Sequence, residues 1–102
     1  MTGTYKIRFT HKAWSEFDQI LDFIDRQSPQ NAKSVRHELL KEIGGLQLMP
    51  DRFKEVGTSR STKATVHALT VRPFIVYYKI EGDSVLVLSI KHGAQRQPRR
   101  FD

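Results

Sequence analysis

The residues best suited to chemistry lie close together near the end of the sequence. Positions 92 to 100 read H-G-A-Q-R-Q-P-R-R, so the imidazole of His92 precedes the guanidinium groups of Arg96, Arg99 and Arg100. Cleavage of an RNA phosphodiester bond needs a base for the 2′-hydroxyl, an acid for the leaving oxygen and a cation for the developing charge. Histidine and arginine can fill these roles, but the segment is more typical of a basic, partner-binding end in which His92 bonds the tail.

Two other residues could complete such a site from a neighbouring strand, namely His67 and Arg72. A histidine on a strand with no acidic residue to orient it is more often structural than catalytic. We therefore predict no catalytic residue unless the chain cleaves RNA. In that case the predicted site consists of His92, Arg96, Arg72 and His67.

Several classes of chemistry are excluded by what the sequence lacks. It has no cysteine, which rules out disulfides, thiolate nucleophiles and cysteine zinc sites. It has no H-E-x-x-H motif, glycine-rich phosphate loop or nucleophile elbow. A chain of 102 residues has the length of one domain, too small for a deep cofactor cavity, and we expect a single domain over residues 1–102. We predict neither a metal nor a cofactor.

Charge is distributed unevenly along the chain. Residues 1–51 carry seven Lys and Arg against seven Asp and Glu, whereas residues 52–102 carry ten against four, which accounts for the whole net charge of +6. A positive potential concentrated in one half steers association with anionic partners. The sequence therefore favours nucleic acid or an acidic protein segment as the partner.

No segment of the sequence resembles an export signal or a membrane span. Residues 1–9 alternate polar and apolar side chains, and the longest apolar run elsewhere, residues 85–88, is far too short to cross a bilayer. Together with the absence of cysteine, this predicts a cytoplasmic protein with no membrane partner.

The first half predicts one strand followed by two helices. Alternation over residues 5–10 is typical of a half-buried strand, and Thr10 offers a capping hydroxyl to a helix that ends near Gln27. Ser28 and Pro29 then provide a cap and a first-turn proline for a second helix. Because the connection is so short, we expect an antiparallel helical hairpin. Its apolar stripes comprise Ala13, Phe17, Ile20, Leu21 and Ile24, then Ala32, Val35, Leu39, Ile43 and Leu46.

The second half predicts a basic loop over residues 49–64 and then strands over residues 65–71, 74–80 and 84–90. Glycine and aspartate at Gly82-Asp83 suit the tight turn of a hairpin. The predicted fold is α+β, with an N-terminal strand, the helical hairpin and a three-stranded meander. These form a four-stranded antiparallel sheet with both helices on one face.

The final hairpin predicts a sheet that is apolar on both faces. Closing it through Gly82-Asp83 pairs Ile80 with Val85 and Tyr78 with Val87 on one face. The same register pairs Tyr77 with Leu88 and Ile75 with Ile90 on the other face. Two helices can cover only one face, so the other must be covered either by the chain's own tail, where Phe101 is available, or by an apolar segment of a partner.

In order and spacing, these pieces resemble the ParE/RelE superfamily of toxins from type II toxin-antitoxin, or plasmid stabilization, modules. The resemblance spans nearly the whole chain. It rests on the opening Y-K-I-R-F-T at residues 5–10, on Ser28-Pro29, on V-Y-Y-K-I at residues 76–80, on Gly82-Asp83 and on the closing His92-Gly93-Ala94. The Ser-Pro and His-Gly-Ala signatures are most similar to the ParE branch.

The resemblance implies a toxin that a cognate antitoxin neutralises. ParE-branch toxins poison DNA gyrase, whereas RelE-branch toxins cut messenger RNA on the ribosome. RelE nucleases have an arginine where this chain has Ile75, so gyrase inhibition is the favoured prediction and RelE-type mRNA cleavage the alternative. ParE-like members usually carry arginine directly after the closing alanine, where this chain has Gln95. The predicted partner-binding residues are Arg72, Tyr78, Lys91, His92, Arg96, Arg99 and Arg100.

Overall fold

A mixed sheet of five strands forms one layer of the fold, and two helices form the other. The computed structural model describes residues 4–95, 97, 98 and 101. In chain order the elements are β1 (Lys6–Phe9), α1 (His11–Gln27), α2 (Pro29–Gly44), β2 (Lys54–Thr58), β3 (Thr65–Val71), β4 (Phe74–Glu81) and β5 (Ser84–His92). Short 3₁₀ turns over Gly45–Gln47 and Pro50–Arg52 lead from α2 to β2.

Both helices begin, and α1 ends, at the residues that the sequence predicts, whereas Leu46 of the predicted second stripe lies in the 3₁₀ turn after α2. The Thr10 hydroxyl accepts a hydrogen bond from the Ala13 N–H at 3.0 Å. The Ser28 N–H donates to the Ile24 carbonyl at 2.8 Å and closes α1, while the Ser28 hydroxyl accepts from the Asn31 N–H at 3.2 Å and opens α2. One serine thus satisfies both helix ends, so a single residue suffices to join the two helices.

The predicted sheet is wrong in two respects. The observed sheet has five strands in the order β1-β5-β4-β3-β2, because β2 forms within the predicted basic loop. In addition, β1 runs parallel to β5, so the sheet is mixed rather than antiparallel. All five residues of β2 are exposed, so no apolar alternation marks this strand in the sequence. The direction of β1 is equally hidden, because the first and last strands are not joined by a turn that would fix it.

The helix-covered face contains the main core, and both helices contribute to it. Ala13 and Phe17 of α1 and Leu39 and Ile43 of α2 are buried there. Their partners from the sheet are Leu69, Val71, Phe74, Val76, Tyr78, Val85, Val87 and Ile90. Helical and strand periodicities therefore meet on one side of the sheet, as predicted.

A β-bulge in β5 corrects the predicted register of the final hairpin. Ile80 pairs with Val85 and Tyr78 with Val87 as expected, but the register then shifts by one residue. Tyr77 consequently pairs with Ser89 rather than Leu88, and Ile75 with Lys91 rather than Ile90. Leu88 lies with Tyr77 on the helix-free face, as predicted, but the extra residue turns Ile90 into the main core. Alternation could not show this shift, because both faces of the hairpin are apolar.

The chain's own tail covers the centre of the helix-free face. Phe101 is 7% exposed, and its ring centroid lies 5.2 Å from that of Tyr77, in a cluster with Val66 and Leu88. The Phe101 carbonyl accepts the Arg60 N–H at 2.8 Å. Of the two alternatives for covering this face, the structure therefore contains the first.

A carboxylate satisfies the edge of β5 beyond the end of β1. The Glu16 carboxylate, on α1, accepts the Ile90 N–H at 3.1 Å and the Ser89 hydroxyl at 2.7 Å. It also forms an ion pair of 2.5 Å with the Lys91 Nζ. Burial raises the pKa of Glu16, but these hydrogen bonds and the charge of Lys91 outweigh it, so the pKa lies below its usual value of 4.5.

We predict that Phe101→Ala lowers the free energy of unfolding by about 3 kcal/mol, because it empties a packed site on the helix-free face. Urea denaturation of the purified protein measures the loss. Phe23→Ala is the matched control, since that side chain is 63% exposed. Its expected cost is below about 0.5 kcal/mol, and equal losses for the two variants would contradict the packing described for Phe101.

We predict that Glu16→Gln destabilises the protein by about 2 kcal/mol at pH 7, the scale of a hydrogen bond to a charged group. A carboxylate whose folded pKa is lowered stabilises above its unfolded pKa, near 4.5, and this contribution is lost as pH falls through the folded pKa. The stability gap between wild type and variant should therefore narrow below pH 4.5, as urea denaturation at several pH values can measure. Asp18→Asn, at an exposed carboxylate of α1, is the control and should show a small gap throughout. A Glu16→Gln gap that widens on acidification would refute the assignment.

Candidate functional site

β5 ends beside the turn between β3 and β4, and this end of the sheet carries three of the predicted partner-binding residues. Arg72 is exposed in the turn, and Lys91 and His92 close β5. His92 pairs with Phe74 at the start of β4, and the Gly93 N–H donates to the Pro73 carbonyl at 2.7 Å. We call Arg72, Lys91 and His92 the His92 end. Arg96, Arg99 and Arg100 lie outside the described residues.

The ring of His92 is held by packing and by the residues that follow it. Its centroid lies 5.5 Å from that of Phe74 in an edge-on arrangement. The Nδ1 atom accepts the Ala94 N–H at 2.9 Å, so in the neutral ring the proton is on Nε2. The His92 N–H donates to the Gln95 side-chain oxygen at 2.6 Å. Gln95, which stands where ParE-like proteins usually have arginine, therefore holds the turn after β5 by this hydrogen bond. The half-buried imidazole is thereby fixed with one donor left for a partner.

His67 does not join this end of the sheet. It is 5% exposed, its ring stacks on Tyr78 at 5.3 Å, and its Nδ1 lies 2.9 Å from the Phe53 carbonyl. His67 pairs with Tyr78, whereas His92 pairs with Phe74, which is four residues away on β4. The two histidines are therefore separated by about 13 Å along the strand alone. The predicted ribonuclease arrangement of His67 with His92 and Arg72 is not assembled.

Tyr78, predicted to bind a partner, lies in the core. The side chain is fully buried, and its hydroxyl donates to the Pro50 carbonyl at 2.5 Å. Burial raises the pKa of Tyr78 to about 12. Such a side chain offers a partner no surface. The alternation of Phe74, Val76 and Tyr78 along β4 was the signal in the sequence that places Tyr78 in the core.

A groove that sequence reasoning missed adjoins the His92 end. It has a volume of about 660 Å³ and lies between the helices and the ends of β4 and β5. Its lining includes Ile20, Phe23, Ile24, Val35, Phe74 and Ile90, with Glu16, Lys91 and His92 among its polar residues. Phe23, an apolar side chain at the edge of the α1 stripe, is 63% exposed and lies in the lining of this groove.

Lys91 lines the groove and forms an ion pair with Glu16, and 23% of its side chain is exposed. Arg72 is exposed and forms no ion pair with any described residue.

Within residues 4–95, 97, 98 and 101, no group of three or more His, Asp or Glu side chains is placed to hold a metal ion. None of the helices in the same residues is long and apolar enough to cross a membrane.

Solved structures with the same fold include three of related size. A structure described as the chromosomal ParDE toxin-antitoxin system from P. aeruginosa has a TM-score of 0.70 and 20% identity, and the match covers 89% of this chain and 98% of that chain. The toxin-antitoxin complex RelBE2 from Mycobacterium tuberculosis matches with a TM-score of 0.60 and 20% identity, covering 93% and 98%. A conserved hypothetical protein from Helicobacter pylori matches with a TM-score of 0.57 and 15% identity, covering 89% and 97%. At these identities the structures show a common fold.

Family membership rests on the sequence itself. No curated protein shows significant sequence similarity to this chain. Residues 7–97, however, match the family described as ParE toxin of type II toxin-antitoxin system, parDE. The match runs from β1 through the Gln97 side chain that accepts the Tyr77 hydroxyl, so it includes both helices, all strands and the His92 end. The chain therefore belongs to the ParE toxin family of type II toxin-antitoxin systems.

Proposed function

We propose that this ParE-family toxin inhibits DNA gyrase, is neutralised by a cognate antitoxin and serves a plasmid stabilization module. The observation that carries the proposal is the His92 end beside an open apolar groove. An exposed guanidinium and a fixed imidazole next to an apolar surface suit a protein partner, because interfaces combine desolvated apolar anchors with arginine contacts.

The groove supports the antitoxin as one partner. Its apolar lining and exposed Phe23 fit an apolar segment, while Arg72 and His92 fit acidic groups beside that segment. The M. tuberculosis protein of similar fold was solved as a toxin-antitoxin complex, which makes a corresponding partner reasonable for this chain.

The separation of the two histidines supports gyrase inhibition over ribosome-dependent mRNA cleavage. General acid and base groups must both reach the scissile phosphate, and a spacing of about 13 Å along β4 does not permit this for His67 and His92. His67 also has its Nδ1 engaged with a backbone carbonyl. A toxin that acts by binding needs no such pair.

We predict that the purified protein, added to gyrase and plasmid DNA, causes cleaved plasmid to accumulate and leaves mRNA on translating ribosomes intact. Arg72→Gln combined with His92→Gln should reduce the cleaved plasmid about tenfold, because charged contacts at an interface centre are worth roughly 1–2 kcal/mol. Arg36→Gln combined with His37→Gln, at exposed residues of α2, is the matched control and should retain full effect. Messenger RNA cut on the ribosome with no effect on gyrase would overturn the proposal.

We predict that Phe23→Ala weakens binding of the cognate antitoxin about 30-fold, the loss of an aromatic anchor worth roughly 2 kcal/mol. Isothermal titration with the purified antitoxin measures the change. Leu48→Ala is the control, because Leu48 is equally exposed at 63% but does not line the groove. Equal affinities for wild type and Phe23→Ala would place the antitoxin elsewhere on the toxin.

A further inference from the structure

The helical layer and the segment that contains β2 and β3 carry opposite net charge. The helical layer, residues 11–44, has five Lys and Arg against six Asp and Glu, whereas residues 52–72 have five Lys and Arg against Glu55 alone. Four of those five cations lie in the turn before β2, on β2 itself and in the loop that follows it. We call Arg52, Lys54, Arg60 and Lys63 the β2 edge. All four side chains are exposed, and none forms an ion pair with a described residue.

We propose that the β2 edge binds the phosphate backbone of duplex DNA. Among the described strands β2 is the last of the sheet, so no other described strand pairs with its outer side, although Phe101 forms an isolated bridge with Ser59 just beyond it. Unpaired backbone N–H groups, threonine hydroxyls such as that of Thr58, and Lys and Arg side chains are the usual donors to phosphate oxygens. Over Lys54–Thr58 the strand advances about 13 Å, which spans several phosphates of one DNA strand.

The acidic residues near the edge do not cancel its charge. Glu55 pairs with His67, and strand alternation places it on the face of the sheet opposite to Lys54. Glu81 forms an ion pair of 2.9 Å with the buried Lys79. Asp51 precedes Arg52 in the 3₁₀ turn, so with Glu55 two carboxylates stand against the four cations in residues 51–63. The local balance therefore remains positive.

The loop that carries two of the cations is held in place before any ligand arrives. The Lys79 Nζ donates to the Thr62 hydroxyl at 3.1 Å and to the Ser59 hydroxyl at 3.5 Å. The Lys63 N–H donates to the Ser59 carbonyl at 2.9 Å, and the Arg60 N–H donates to Phe101. Anchored at these points, the loop presents Arg60 and Lys63 with little backbone entropy left to lose on binding.

The surroundings favour duplex DNA over an acidic protein or a single strand. Lysine is depleted at protein interfaces, which depend on apolar anchors, and Val56, 38% exposed, is the one exposed apolar side chain within β2. Single strands are bound by exposed aromatic rings that stack on bases. The ring of Phe53 is half-buried, and the Arg52 guanidinium lies 4.3 Å above it. It is therefore not open to a base.

The test uses the full-length protein, a labelled 20-base-pair duplex of arbitrary sequence and fluorescence anisotropy between 50 and 200 mM salt, without gyrase. Four phosphate contacts predict a slope of about −3.6 in a plot of log affinity against log salt, a loss of about 150-fold over this range. Replacing all four β2-edge cations by glutamine should lower the affinity at least about tenfold at 50 mM salt. Each single substitution should reduce the slope by about one.

The matched control replaces the same number of exposed cations on the helices, with Lys12, Lys33, Arg36 and Lys41 changed to glutamine. This variant has the same net charge as the β2-edge variant and should retain the wild-type slope. Equal losses for the two variants, tighter binding of single-stranded RNA than of the duplex, or no binding at 50 mM salt would overturn the proposal. If the fourfold β2-edge variant does not fold, the single variants decide. Because gyrase is absent, this result and the gyrase assay can fail independently.

Discussion

The position of the helical layer depends on how the edge of β5 is satisfied after β1 ends. From Leu88 onward no strand of the described residues lies beside β5 on that side, and its backbone groups there need other partners. The Thr10 hydroxyl reaches the Leu88 carbonyl at 3.3 Å, and Glu16 accepts the Ile90 N–H. Thr10 and α1 thus complete the edge with side chains, and these contacts tie the start of the helical hairpin to β5.

The groove and the His92 end follow from that arrangement. Glu16 forms its ion pair with Lys91, which follows the β5 bulge in the chain. Because the bulge shifts the register by one residue, Ile90 faces the core and Lys91 the groove. His92 then comes to lie against Phe74 and beside the turn that carries Arg72. A single carboxylate, placed by the first turns of a helix, consequently organises residues more than seventy positions away in the sequence.

The separation of charge between the two layers gives the molecule distinct surfaces. The near-neutral helical layer contributes much of the apolar groove, while the sheet and its loops carry the excess of positive charge. The family assignment, the groove and the His92 end support a protein-binding toxin. The β2 edge supports a separate contact with nucleic acid, at the edge of the sheet opposite to the one formed by β1. A toxin that acts on a protein–DNA complex would use both surfaces.

The sequence alone determined the features that depend on neighbours a few residues apart. Helix caps at Thr10 and Ser28, the apolar stripes and the Gly82-Asp83 hairpin are local, and a periodic pattern reports which face of an element is buried. The uneven distribution of charge and the resemblance to ParE toxins were also apparent from the sequence. Tertiary structure alone decided the direction of β1, the existence of β2, the bulge beside Leu88 and the partners of Glu16. Each of these depends on contacts between distant segments, whose pairing no local pattern encodes. For the same reason the turn with Arg72 and the end of β5 with His92 lie at one end of the sheet, while His67 lies apart from them.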